Sequence, residues 1–122
     1  MKVECVSITD AKSGEAIEKN SWLTVGKTYQ VLSVFMSDND PVEYRLISDD
    51  GRTPGMYKAI QFKVVSGVLP SNWIANYEAE AYFELAPKTW AEPGFWGNYF
   101  DGDPDAIKQF EAEKEVIAKL DS

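Results

Sequence analysis

The chain of 122 residues has the length of one domain, and its hydrophobic fraction of 44% and aromatic fraction of 13% argue against intrinsic disorder. It has one cysteine and no histidine, which excludes an intrachain disulfide and both Ser-His-Asp and Cys-His catalysis. The net charge of −8 is concentrated in residues 71–122, where 4 basic and 11 acidic residues disfavour nucleic acid and anionic membranes as ligands.

The first predicted elements are strands. Residues 2–8 alternate imperfectly and predict a short strand, and residues 22–36 are rich in β-branched and aromatic side chains, which predicts one long strand. Glu4 and Asp10 interrupt the opening segment, which is not typical of a secretory signal. Since no apolar run approaches the ~18 residues of a membrane span, we expect a cytoplasmic protein.

A β-hairpin is predicted next. A turn at residues 37–41 precedes two strand patterns, 42–48 and 56–66, and an Asp50-Gly51 pair lies between them. Glycine supplies the positive φ that a tight hairpin turn requires, so this pair favours a chain reversal. The predicted core face of the second arm consists of Ile60, Phe62 and Val64.

Strict alternation marks residues 77–85, after a predicted tight or 3₁₀ turn at residues 69–73. Alternation of period two predicts a strand although Ala, Glu and Leu are good helix formers. The predicted inner face consists of Tyr77, Ala79, Ala81, Phe83 and Leu85. The predicted outer, solvated face consists of Glu78, Glu80, Tyr82 and Glu84.

The C-terminal part is predicted to be helical. Pro93-Gly94 separates a single turn at residues 87–92 from an aromatic segment, and Asp103 with Pro104 predicts the start of the longest helix. The aromatic segment has one face that is expected to dock the tail, formed by Phe95, Trp96, Tyr99 and Phe100. The apolar stripe of the long helix consists of Ala106, Ile107, Phe110, Ile117 and Leu120.

These elements predict a mainly β protein with a C-terminal helix (α+β), organised as a single domain over residues 1–122. The expected architecture is a small SH3-like curled β-barrel of about five strands over about residues 1–86, closed by a helical tail over about residues 87–122. The stretches LTVGKTYQVLSV, YRLISDDGRTPGMY and FKVVSG resemble small SH3-like barrels. The stretch PKTWAEPGFWGNYFDGD resembles the tails of small bacterial proteins, some of which are thought to be immunity proteins of toxin systems. The resemblance implies protein binding and assigns no functional residue.

Catalytic, cofactor and metal sites are not expected. Asp101, Asp103 and Asp105 have the spacing of the first ligands of a calcium loop, but Ala106 and Ala112 occupy the positions that need glycine and glutamate. The motifs of the P-loop, the dinucleotide fold and the hydrolase elbow do not occur.

The leading functional expectation is a non-enzymatic inhibitor that presents acids to a basic protein partner, such as a toxin or nuclease. The candidate partner-binding residues are Glu78, Glu80, Glu84, Asp101, Asp103 and Glu111. One alternative is a peptide-binding or small-molecule-binding module with an aromatic groove at Trp22 and Trp73. An enzyme that uses carboxylates with Tyr or Lys, an accessory protein of a bacterium or phage, and acidity that only keeps the protein soluble are further alternatives.

Overall fold

The computed structural model describes residues 1–10, 12–79 and 81–120, and it is mainly β with helices at its C-terminal end. The strands are β1 (Lys2–Cys5), β2 (Ile8–Thr9), β3 (Ala16–Ile17), β4 (Thr28–Gln30), β5 (Ser33–Ser37), β6 (Asp40–Ile47), β7 (Pro54–Lys58), β8 (Phe62–Ser66), β9 (Ile74–Glu78) and β10 (Tyr82–Ala86). The helices are α1 (Phe95–Phe100) and α2 (Pro104–Leu120), and 3₁₀ turns lie at Ala59–Gln61 and Lys88–Ala91. The predicted α+β class is therefore confirmed.

The strands form two main antiparallel sheets. One has the order β4-β1-β8 and the other the order β7-β6-β5-β10-β9, while β2 and β3 form a separate small hairpin. The sheets are not closed into a barrel, so the predicted closure is corrected. The β9–β10 hairpin instead extends the second sheet beyond β5. None of the helices in the described ranges has both the length and the apolar character of a membrane-spanning segment.

The long strand predicted over residues 22–36 is broken at Val31 and Leu32. The Val31 N–H donates to the Met1 carbonyl at 2.9 Å, whereas the Leu32 N–H donates to the Arg45 carbonyl at 2.7 Å. Successive peptide groups thus bond to different sheets, and the chain turns the corner between β4 and β5. Only the tertiary structure provides this pair of partners, so the local residue pattern did not reveal the break.

The second hairpin arm is also divided. β7 ends at Lys58, the 3₁₀ turn redirects the chain, and β8 joins the other sheet beside β1. Phe62 is buried as predicted, but Ile60 is 82% exposed and Val64 is 52% exposed, so the predicted core face is wrong at those two positions. The turn has a different period from a strand, which moves Ile60 out of the alternation.

The strand predicted over residues 77–85 is two strands joined by a tight turn, in which the Ala81 N–H donates to the Glu78 carbonyl at 3.0 Å. The predicted faces are wrong in part, since Tyr77 and Phe83 are exposed partners across β9 and β10. Glu84 lies on the opposite face from Phe83 and is half-buried. The period-two pattern of the sequence covers both strands and the turn between them, so the pattern gave no sign of the chain reversal.

Two hydrophobic clusters stabilise the fold. The inter-sheet core lies between the two main sheets and consists of Val3, Cys5, Ile8, Leu23, Tyr29, Val31, Val34, Leu46 and Phe62. The aromatic cluster lies under the helices and consists of Leu32, Trp90, Phe95, Ala106, Phe110 and Ile117, with Trp73, Trp96 and Tyr99 packed against it. The predicted docking of the aromatic segment is thus confirmed for three of its four residues, while Phe100 is 59% exposed.

Of the remaining local predictions, two turns and a helix cap are confirmed, and the apolar stripe of α2 is wrong in part. Gly51 has a φ of 78° in the β6–β7 loop, and Asp103 caps α2 by accepting the Ala106 N–H at 3.2 Å, as predicted. The turn before β9 is also present, since the Trp73 N–H donates to the Pro70 carbonyl at 3.3 Å. In the stripe of α2, Ile107 and Leu120 are exposed, because the buried face is narrower than the sequence pattern indicates.

Candidate functional site

On the helix-side face of the five-stranded sheet, an aromatic residue lies between two acidic residues of the neighbouring strands. Glu84 on β10 lies opposite Phe35 on β5, and Phe35 lies opposite Glu43 on β6. Directly paired residues of neighbouring strands point to the same face of a sheet. An aromatic ring is therefore flanked by two carboxylates, which belong to strands roughly 10 Å apart.

Arg45 lies two residues beyond Glu43 on β6 and therefore shares its face. Its guanidinium carbon lies 3.7 Å from the centroid of the Trp96 ring, and its Nη1 donates to the Pro54 carbonyl at 2.8 Å. Arg45 is only 9% exposed, and burial lowers its pKa to about 10, so it stays a cation at neutral pH. Its buried Nε has no hydrogen-bond partner among the described residues.

The segment between β10 and α2 places the tryptophans over this face. A 3₁₀ turn carries Trp90, and Gly94, with a φ of 80°, allows the sharp entry into α1 that carries Trp96. The Trp90 ring packs at 5.7 Å from the Trp96 ring and at 5.0 Å from the Phe110 ring. The buried indole Nε1 of Trp90 also has no partner within the described part of the chain.

A cleft of about 380 Å³ separates the sheet face from the tail. We name it the sheet–helix cleft; it is lined by Phe35, Glu43, Arg45, Met56, Tyr82, Glu84, Trp90, Ala91, Glu92, Gly94, Phe95, Trp96 and Gly97. Its volume is at the small end of the range typical of ligand sites. Aromatic rings from both the sheet and the tail form its walls.

Negative charge is in excess in this cleft. Glu43, Glu84 and Glu92 line it against the single guanidinium of Arg45. No hydrogen bond or ion pair within 4.0 Å joins these three carboxylates to a described side chain, although ion pairs of that kind occur elsewhere. Burial raises the pKa of Glu84, and the nearby Arg45 offsets part of that rise. The cleft thus contains three carboxylates and one guanidinium, and none of the carboxylates forms a close ion pair with a described cation.

The predicted partner-binding residues are distributed over several elements. Glu84 lies in the sheet–helix cleft, whereas Glu78 lines a separate hollow at the tip of the β9–β10 hairpin. Asp103 is engaged as the cap of α2, and Glu111 forms an ion pair with Lys114 at 3.1 Å. The exposed Asp101 follows α1. Glu80 lies outside the described residues.

The two tryptophans of the expected aromatic groove have different environments. The Trp73 indole donates to the Leu32 carbonyl at 2.9 Å, and its ring packs against both hydrophobic clusters. Trp22 is 47% exposed. Trp73 therefore has a structural role that occupies its polar atom, which leaves Trp22 alone available from that pair.

Sequence reasoning missed Arg45, Glu43 and Glu92 as parts of a site. One signal was present, since Arg45 is a charged residue between Tyr44 and Leu46 in a strand pattern. Arginine is rarely buried unless it has an interaction partner. Its partner Trp96 is 51 positions away in the chain, so the contact required the fold.

Comparisons of the chain with protein-family models, with curated proteins and with solved structures gave no match. Across residues 1–10, 12–79 and 81–120, no group of three or more Cys, Asp and Glu side chains is arranged to hold a metal ion. A proposal for the function therefore rests on the chemistry of the sheet–helix cleft.

Proposed function

We propose that this chain is a non-enzymatic protein-binding protein of the inhibitor or immunity type, which occludes a basic site on a partner such as a toxin or nuclease. The observation that carries this proposal is the sheet–helix cleft, where three carboxylates outnumber the single guanidinium of Arg45 beside aromatic rings. Unpaired carboxylates at a partly buried surface cost free energy unless a cation joins them. A partner that supplies lysine or arginine would provide that cation.

The charge distribution supports the same conclusion. The C-terminal half carries most of the net charge of −8, and it contributes β10, α1 and the turn with Glu92 to the cleft. Opposite charge on two proteins raises their association rate and selects against acidic partners. The action we propose is steric occlusion guided by charge, in the cytoplasm of a bacterium or of a phage-infected cell.

We also propose that the first 66 residues are an SH3-like arrangement to which the β9–β10 hairpin and the helices are added. The path of the chain supports this: a long connection follows β1, a bend divides β4 from β5, and β6 and β7 form a hairpin. A 3₁₀ turn then leads to β8, which returns to pair with β1. Domains with this path often bind other proteins, which agrees with the proposed role.

Co-expression with the product of the adjacent gene tests the proposed function. We expect a complex that co-elutes on size exclusion at low ionic strength and dissociates as salt rises, because screening weakens charge pairs. The complex is expected to suppress the toxic or nuclease activity of the partner. An adjacent basic protein that never co-elutes at low salt and keeps its full activity would overturn the proposal.

A further inference from the structure

We propose that the sheet–helix cleft receives a single lysine or arginine side chain of the partner, with its cationic head over the Phe35 ring between Glu43 and Glu84. This inference rests on the proposed function and names the group that the site recognises. In this view the cleft is the specific contact within a larger charged interface. The other surface acids attract the basic partner electrostatically without a specific contact.

The register of the sheet sets the position of the cation. Phe35 is the direct neighbour of both carboxylate residues, one on each side. Since neighbouring strands lie about 4.8 Å apart, a head group centred over the Phe35 ring is within reach of both carboxylates at once. Glu92, on the tail side of the cleft, adds a third carboxylate at its rim.

The walls suit the long apolar stem of such a side chain. The Phe35 and Tyr82 rings stack at 5.9 Å with an interplanar angle of 17°, and both line the cleft on its sheet side. Trp96 lies on the tail side of the same cleft. Lysine and arginine bury their methylene stems against apolar surfaces while the charged head contacts acids or the faces of aromatic rings.

Arg45 demonstrates this chemistry within the chain itself. Its guanidinium stacks on Trp96, so one wall of the cleft already holds a cation of the class we propose. Arg45 offsets the charge of Glu43 and Glu84 only in part, because its Nη1 is held by the Pro54 carbonyl and no ion pair within 4.0 Å joins it to a described acid. The carboxylates thus remain available to a second cation.

Two orphaned donors indicate what accompanies the side chain. Arg45 Nε and Trp90 Nε1 are buried beside the cleft without acceptors among the described residues. A buried donor without an acceptor costs free energy, which a small rearrangement on binding can recover. A peptide main chain offers carbonyl oxygens next to its side chain, so a segment of a protein fits this combination better than a free polyamine.

NMR titration of the full chain with capped tripeptides tests the inference. The probes are acetyl-Gly-Arg-Gly-amide and its citrulline counterpart, which has almost the same shape but no charge. We expect the arginine peptide to shift the indole signals of Trp90 and Trp96 and to leave those of Trp22 and Trp73 in place. The citrulline peptide should bind at least about tenfold more weakly, a difference of about 1.4 kcal/mol.

Matched variants locate the charge requirement. The Glu43→Gln and Glu84→Gln double variant should weaken binding of the arginine peptide by about tenfold or more, whereas Glu115→Gln, which removes a charge from an exposed ion pair of α2, should not. Unchanged indole positions in the free double variant would show that the fold is intact. Equal binding of both peptides, or equal loss in the Glu115→Gln variant, would overturn the inference.

A third probe separates the sources of the cation. If spermidine or free L-arginine shifts the cleft signals at concentrations where the capped peptide has no effect, the cleft is a small-molecule site and our inference is wrong. The double variant also separates the two proposals. A partner complex that is unchanged by the double variant would support the inhibitor function and overturn the inference about the cleft. Charge-dependent peptide binding without any partner complex would support the inference about the cleft and overturn the inhibitor function.

Discussion

The two hydrophobic clusters treat their polar groups differently. In the inter-sheet core, the Tyr29 hydroxyl donates to Asp49 at 2.8 Å and accepts the Thr24 N–H at 2.9 Å. In the described ranges, the buried side-chain atoms without partners instead belong to residues around the aromatic cluster and its face of the sheet: Ser33, Arg45, Asn72, Thr89 and Trp90. Buried polar groups are normally satisfied, so this contrast supports the proposal that a ligand binds beside the aromatic cluster, while both clusters stabilise the fold.

The largest expected effect tests whether the aromatic cluster also stabilises the fold. Phe110 is fully buried there, so Phe110→Ala should lower the free energy of unfolding by about 3–5 kcal/mol in urea melts. The control is Phe100→Ala, because Phe100 packs near Trp96 but is 59% exposed, and its change should stay near about 0.5 kcal/mol. Equal losses in both variants would mean that the cluster is packed differently.

A smaller effect is expected from the polar network of the inter-sheet core. Asp49 accepts hydrogen bonds from Thr24, Lys27 and Tyr29, so Asp49→Ala should cost about 1–3 kcal/mol by leaving donors unsatisfied. Burial and the hydrogen bond to Asp49 raise the pKa of Tyr29 to about 12. Absorbance titration of the Asp49→Ala variant should give a lower tyrosine pKa, and an unchanged value would show that Asp49 does not hold that hydroxyl.

The smallest expected effect has the opposite sign and belongs to the cleft. Burial raises the pKa of Glu84, so its ionised form costs stability at neutral pH, even with Arg45 nearby. Glu84→Gln should therefore raise the melting temperature slightly at pH 7. Because wild-type Glu84 becomes protonated as pH falls through its raised pKa towards 4.5, the advantage of the variant should disappear there.

The control for that pH profile is Glu111→Gln, which changes a residue in a surface ion pair. Its melting temperature should stay close to that of the wild type at every pH, because exposed ion pairs contribute little to stability. If Glu84→Gln instead lowers the melting temperature at pH 7, Glu84 stabilises the free protein, and the contrast between the two clusters fails at that residue.

The sequence predicted the features that depend on local chemistry. The Asp103 cap, the positive φ at Gly51 and the docking of Phe95 and Trp96 follow from residue type and spacing alone. Each involves neighbours in the chain, or an apolar face that must be buried somewhere. Such features are the same whichever elements surround them.

The sequence did not predict where the chain changes direction or partner. The corner at Val31 and Leu32 depends on acceptors from two different sheets, and the turn after Glu78 preserves the alternation of its flanking strands. The cleft was missed for the same reason, because it joins β5, β6, β10 and the tail, and Glu84 was its one lining residue among the predicted partner-binding acids. Contacts between distant segments are not encoded in a local period.

The most direct test of the central claim is the pKa of the Glu84 carboxyl, measured by carbon NMR with and without acetyl-Gly-Arg-Gly-amide. In the free protein burial raises this pKa. A cation placed against the carboxylate stabilises its charged form, so we predict that saturating arginine peptide lowers the pKa of Glu84 while the citrulline peptide leaves it in place. A Glu84 pKa that is the same with both peptides would contradict the claim that the cleft binds a cationic side chain.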